Sequence, residues 1–270
     1  GSVKFAIWTE ESRKQGVMSA LYSQYPEIEI KEIPDYAKSE HFDPKQIRIW
    51  AAEFKFANKK SVYPIKTYID YGLEKDPKEE FKVDPLLPLI EFMGSVGPNQ
   101  QVWFQFMIKA HGKDNKKKGS FFKKTDAWKD KATELVNEML QRDAKTKVAG
   151  VENEKGFLVS PKITKGEEEV IEALERSITK HPFEVGIRVL YIAKKDFFDG
   201  ANIGSIIGSM KHFSSPHLNG FKPGGPWGGL DFPWQDFKGI RKNRKMSRAL
   251  MAYKRRSFFF APFESQPLIM

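Results

Sequence analysis

The chain has 270 residues, no cysteine, 40% apolar residues, 22 phenylalanines and a net charge of +10. Without thiols, disulfide scaffolds, thiolate metal centres, iron–sulfur clusters and cysteine nucleophiles are excluded, and this apolar content excludes an intrinsically disordered chain. No apolar run approaches the roughly 18 to 20 residues of a membrane-spanning helix, and the length suits one large domain or two of about 100 to 150 residues. The opening Gly1-Ser2, with no Met, reads as a cleavage remnant on a piece of a longer protein.

Residues 3–8 read as a strand, and a helix from Thr9 carries Val17, Leu21 and Tyr25 at helical spacing until Pro26 stops it. Alternating patterns predict strands at 27–33, 46–56 and 63–69. Asp84, with Pro85 in the first turn, is expected to cap a short helix over 86–92 that ends at Gly94. The aromatic run 101–110 reads as a central strand covered on at least part of both faces. A helix from Thr125 presents Trp128, Ala132, Leu135, Val136 and Met139 on one face. Thr164 and Glu167 form a capping-box pattern before the stripe Val170, Ile171, Leu174 and Ile178. A strand follows at 183–193, then a helix at 201–213 whose Gly204 and Gly208 suggest close packing. The Gly- and Pro-rich stretch 219–234 reads as a long loop. Residues 241–256 read as a basic helix with Met246, Leu250 and Tyr253 as its apolar seam.

The order helix, strand, helix over 85–140 recurs over 167–213. The expected fold class is therefore α+β with ferredoxin-like (split β-α-β) elements, one or two in tandem, followed by the C-terminal basic helix. The expected organisation is a first unit at 1–143, a linker or flexible loop at 144–163, and a second unit at 164–270.

The positive charge is local. Residues 109–131 carry nine basic and three acidic side chains, and residues 238–256 carry nine basic and none acidic; the rest of the chain sums to −5. Nine cations without a counter-charge repel one another unless an anion lies nearby. The candidate anion contacts are Arg241, Lys242, Arg244, Lys245, Arg248, Lys254, Arg255 and Arg256, with Lys116, Lys117, Lys118, Lys123 and Lys124 as a second patch. Three readings compete for the helix: contact with nucleic-acid phosphates, a face toward anionic lipid headgroups, and a solvated interdomain helix.

No phosphate-binding loop of the Gly-x4-Gly-Lys-Ser/Thr type is present, and the Gly, Lys and Ser of 112–120 have the wrong spacing. His212 and His217 are the closest histidine pair but lack a third ligand in the sequence, so no metal site is expected. No nucleophile, zinc-protease or kinase signature appears, so no catalytic residue and no cofactor is expected. On the 219–234 loop, Trp227 and Trp234 read either as partner anchors or as rings that pin the loop to its own core.

Several stretches carry a resemblance: Tyr25-Pro26-Glu27-Ile28-Glu29-Ile30 with Pro34-Asp35-Tyr36, Tyr63-Pro64-Ile65-Lys66-Thr67-Tyr68, Asp76-Pro77-Lys78-Glu79-Glu80, Phe183-Glu184-Val185-Gly186-Ile187-Arg188 and Leu218-Asn219-Gly220-Phe221-Lys222-Pro223. Over most of the chain this wording resembles the N-terminal region of type IV secretion coupling-protein-like ATPases of the FtsK/HerA class from bacteria of the candidate phyla radiation. The resemblance implies a parent with membrane segments before this region and an ATPase motor after it. It also implies a non-catalytic accessory or assembly domain at the cytoplasmic face of the inner membrane. Its implied partners are DNA, the motor and membrane segments of its own parent, further copies of itself, and anionic lipid headgroups. The rival expectations are a stand-alone enzyme with a site between the two halves, and a purely structural oligomerisation domain.

Overall fold

A computed structural model describes residues 1–57, 61–72, 84–112, 127–140, 151–152, 158–159, 163–230 and 232–270. Among these, a mixed α+β fold is built on a five-stranded antiparallel sheet. Its strands are β1 (Ile47–Phe56), β2 (Gln100–Ala110), β5 (Phe183–Lys194), β6 (Phe221–Gly224) and β7 (Leu268–Ile269). A separate two-stranded pair joins β3 (Val151–Glu152) and β4 (Leu158–Val159), inside the span expected as a linker. The helices are α1 (Lys14–Gln24), α2 (Tyr36–Ser39), α3 (Leu87–Ser95), α4 (Ala127–Met139), α5 (Lys165–Thr179), α6 (Ala201–Met210) and α7 (Ile240–Lys254).

The spatial order is β2-β5-β1-β6, and β7 pairs with the start of β5 beyond the end of β1. Strands from both sides of 144–163 therefore interleave in one sheet. β5 lies in the middle, and its run Val185–Ala193 is buried throughout because both of its faces are covered. β1 and β2 both run antiparallel to β5, so they are parallel to each other with β5 between them; β5 and β6 stand in the same relation around β1.

One face of the sheet packs Ala52, Phe54, Ile187 and Val189 against Ile206 and Met210 of α6 and the half-buried Phe92 and Met93 of α3. The opposite face packs Ile49, Ala51, Trp103, Leu190 and Ile192 against Met246, Ala249, Leu250 and Tyr253 of α7. α4 and α5, which follow β2 and precede β5, form a third cluster through Trp128, Ala132, Leu135 and Val136 against Val170, Ile171, Ala173 and Leu174. The capping box of α5 forms as its residues predict: the Glu167 carboxylate accepts from Thr164 N and Oγ1, and Glu167 N donates to Thr164 Oγ1.

Several expectations need correction. Residues 3–8 form no strand: with no ladder partner alongside, Phe5, Ile7 and Trp8 stand exposed. Residues 27–33 are likewise outside any ladder. The segment 63–69 holds loops together instead of pairing in the sheet: Lys66 N donates to the Phe213 carbonyl, Asn219 N donates to the Pro64 carbonyl, and the chain then turns through Tyr68–Tyr71. The aromatic strand β2 lies at the sheet edge, not its centre, and Phe106 and Ile108 are exposed there. α1 forms, yet none of its residues is buried. Gly204 and Gly208 have open space where a Cβ would stand, so no close packing requires them. Conversely β6 lies within the stretch read as a loop, where Phe221 packs with Phe54 and Phe56.

Candidate anion-binding interface

α7 begins after a left-handed turn in which Lys238 has φ 54° and Gly239 φ 74°. Glycine enters that region without steric cost. The two carboxylate oxygens of Asp236 accept from the backbone amides of Arg241 and Lys242 at 2.7 and 2.8 Å, so an acid satisfies donors that the first turn leaves unpaired. From there to Lys254 no glycine or proline interrupts the helix, and Met246, Ala249, Leu250, Ala252 and Tyr253 form its buried stripe. The Tyr253 hydroxyl meets that of Tyr36 at 2.7 Å, fastening α7 to α2. Burial pushes the Tyr253 phenol well above its ordinary value, with the Tyr36 hydroxyl adding to the effect, so this ring stays neutral across the physiological range.

The expected cations divide into two groups. Lys245 Nζ donates to the Gly228 carbonyl at 2.6 Å, and Lys254 Nζ donates to the carbonyls of Lys38 and Glu40. Arg256 forms an ion pair with Asp35 at 2.9 Å and lies over the Trp8 ring. These three fasten α7 to its neighbours. Arg241, Lys242, Arg244, Arg248 and Arg255 are exposed, and no carboxylate of a described residue lies within ion-pair distance of them. Arg241 donates to the Gln235 carbonyl, and Arg248 lies over the Phe263 ring at 5.8 Å. Arg241, Arg244, Arg248 and Arg255 follow one another at steps of three, four and seven, which places them on one side of the helix. The second expected patch, Lys116, Lys117, Lys118, Lys123 and Lys124, lies outside the described residues.

A buried ion pair holds the sheet face beneath the end of α7. Glu53 of β1 and Arg188 of β5 are direct cross-strand partners, 1% and 0% exposed. Arg188 Nε and Nη2 donate to Glu53 Oε1 at 3.1 and 2.8 Å, Nη2 also donates to the Ser257 carbonyl, and Nη1 donates to Gln105 Oε1 at 3.4 Å. Trp227 Nε1 donates to Glu53 Oε1, and Ser265 Oγ donates to Glu53 Oε2. The rings of Trp227 and Phe258 flank the guanidinium at 5.8 and 5.7 Å. Burial lowers the Arg188 guanidinium from its ordinary value, and the Glu53 charge and hydrogen bonds oppose that shift. One acid and one base thus tie the Gly-rich loop and the segment after α7 to the central strands. Sequence reasoning missed this pair: both residues sit in predicted strands, but nothing local specifies a register between positions 135 apart.

The two tryptophans of the loop separate. Trp227 is buried, pinned by Glu53 and Phe263, whereas Trp234 is 79% exposed. His217 packs its ring against Gly166 in the first turn of α5, and the carbonyl of His212 accepts from the Tyr71 hydroxyl. No helix among the described residues is long and apolar enough to cross a membrane.

No family model matches the chain, and neither does any curated protein or solved structure.

Proposed function

We propose that the chain is a non-catalytic accessory and assembly domain of a membrane-associated, DNA- or protein-translocating ATPase of the type IV secretion kind, in which the open face of α7 contacts nucleic-acid phosphates. The observation that carries the reading is the row Arg241, Arg244, Arg248 and the C-cap residue Arg255, exposed and without carboxylate partners among the described residues, along a helix fastened to the sheet. Cations held this way keep their attraction for an external anion, because no acid among the described residues neutralises them. The parent class rests on the resemblance carried by stretches such as Tyr63–Tyr68 and Leu218–Pro223. The proposed partners are the motor and membrane segments of that parent, and further copies of this domain. The proposed place is the cytoplasmic face of the inner membrane.

The fold reading that goes with it is a single ferredoxin-like unit. The connections β1-α3-β2 and β5-α6-β6 each return to a parallel strand with one antiparallel strand inserted between, in the order β2-β5-β1-β6, and α3 and α6 share a face. Two interlocked split β-α-β units have this arrangement. On this reading α4 and α5 are an insertion between the halves, and α7 covers the sheet face that the first two helices leave open.

Fluorescence anisotropy with labelled single- and double-stranded DNA, titrated over a series of salt concentrations, tests the nucleic-acid contact. Saturable binding is expected, with log affinity falling linearly in log salt. Reversing Arg244→Glu and Arg248→Glu together should reduce that slope by about two, one for each phosphate no longer neutralised. Unchanged affinity and slope in the double variant would overturn the assignment.

A further inference from the structure

The connection between β6 and α7 buries Trp227 and exposes three other large apolar side chains, with the first residue of α7 exposed beside them. Trp227 is sequestered against the buried ion pair, but Phe232, Trp234, Phe237 and Ile240 are 52%, 79%, 75% and 59% exposed. Four large apolar side chains within nine residues form more exposed apolar surface than scattered single residues explain. Phe232 and Trp234 stack on each other, with ring centroids 4.7 Å apart and an angle of 8° between planes. This tip leads directly into the basic helix. Residues 232–248 hold six cations and one carboxylate, and that carboxylate, Asp236, is engaged in capping α7.

We propose that Phe232, Trp234, Phe237 and Ile240 insert into the surface of an anionic lipid bilayer while Arg241 and Arg244 meet the headgroup phosphates. Trp and Phe favour the boundary between headgroups and acyl chains, and neighbouring Lys and Arg strengthen attachment to anionic leaflets. The chemistry fits a bilayer better than nucleic-acid bases. Phe232 and Trp234 each give one ring face to the other, Lys238 lies over the Phe237 ring at 5.2 Å, and Ile240 has no ring face to stack. The site goes beyond the nucleic-acid reading of α7, since its apolar half lies ahead of the arginine row and is not needed for phosphate contact.

Flotation of the 270-residue protein with phosphatidylcholine vesicles, with and without phosphatidylglycerol, tests the proposal. The protein should float with the anionic vesicles and lipids brominated in their acyl chains should quench its tryptophan fluorescence. Trp234→Phe should still float but lose most of that quenching. Trp234→Ala combined with Phe237→Ala should weaken partition by about tenfold per ring and leave DNA affinity unchanged. Both positions are largely exposed, so the fold should persist, as circular dichroism would verify. Three results would overturn the proposal: no flotation with anionic vesicles, equal flotation with neutral ones, or undiminished flotation of the double variant. A double variant that loses single-stranded DNA affinity, with a wild type that never floats, would assign the rings to base stacking instead. The DNA titration of the Arg244 and Arg248 variant stands apart from these readouts, so either proposal can fail alone.

Discussion

Neutralising Glu53 should unfold this protein more readily than any exposed change on α7. In Glu53→Gln the shape of the side chain survives, but Arg188 keeps its charge at a site with no exposure and loses the carboxylate that pairs with it. Removing one partner of a buried pair costs about 3–5 kcal/mol. The retained amide oxygen can still accept one hydrogen bond, which points to about 3 kcal/mol, the lower end of that range. For a chain of this size each 1 kcal/mol moves the melting midpoint by roughly 2–4 °C, so a fall of about 6–12 °C is expected. Thermal unfolding followed by circular dichroism provides the assay, with Glu53→Gln/Arg188→Met as the second arm. That double variant buries no charge and leaves an acceptor for Trp227 Nε1, so it should recover most of the loss. A single variant melting within about 2 °C of wild type, or a double variant no more stable than the single one, would refute the idea that the uncompensated charge dominates.

Two further changes test packing and ionisation. Gly186 of β5 lies under the Phe258 ring, where an added Cβ would stand 2.6 Å from ring carbons. Gly186→Ala should therefore cost about 1–3 kcal/mol in urea unfolding, and Phe258→Leu in the same chain should relieve part of it; an alanine variant as stable as wild type would show that the ring is free to shift. Burial alone would raise the Asp70 carboxyl, but the hydrogen bonds from Thr67 N, the Arg176 guanidinium and Thr67 Oγ1 outweigh it and hold the group below its ordinary value. A depressed carboxyl contributes stability above its unfolded pKa and loses it as pH falls through the folded one. Asp70→Asn should thus be less stable than wild type at neutral pH, and the gap should close in acid, below about pH 4. A gap that stays constant with pH would remove the ionised carboxylate from the account.

Much of the element pattern was legible locally. The strands at 47–56, 100–110 and 183–194, the α5 cap and the seam of α7 follow from alternation, capping residues and helical spacing, all of which act within a few residues. The misread segments have strand-like composition without a partner. Residues 3–8 are almost wholly apolar and 27–33 intersperse isoleucines with charged side chains, both compositions a strand can have, but a strand is stabilised by its neighbour, and among the described residues none lies beside them. The reverse error occurred at 221–224, where Pro223 and Gly224 suggest a loop, yet the segment lies at the sheet edge, where a missing amide is tolerated.

The basic character of α7 and its flanks was also visible in the sequence, because nine cations without an acid over 238–256 need no tertiary contact to be counted. Which of them remain open was not visible. Lys245 is engaged by the Gly-rich loop, and Lys254 and Arg256 by groups in and beside α2, and only the folded arrangement separates them from Arg241, Arg244, Arg248 and Arg255. The same holds for the two tryptophans of the Gly-rich stretch, whose fates depend on whether the sheet supplies a carboxylate for the indole N–H. By itself, then, the sequence determined the three long strands and most of the helices, the absence of thiol chemistry and the position of the charge. The tertiary structure alone decided strand order, the Glu53–Arg188 pair and the exposure of each cation and ring, because these depend on contacts between residues far apart in the chain, 135 positions for that pair, which no local pattern encodes.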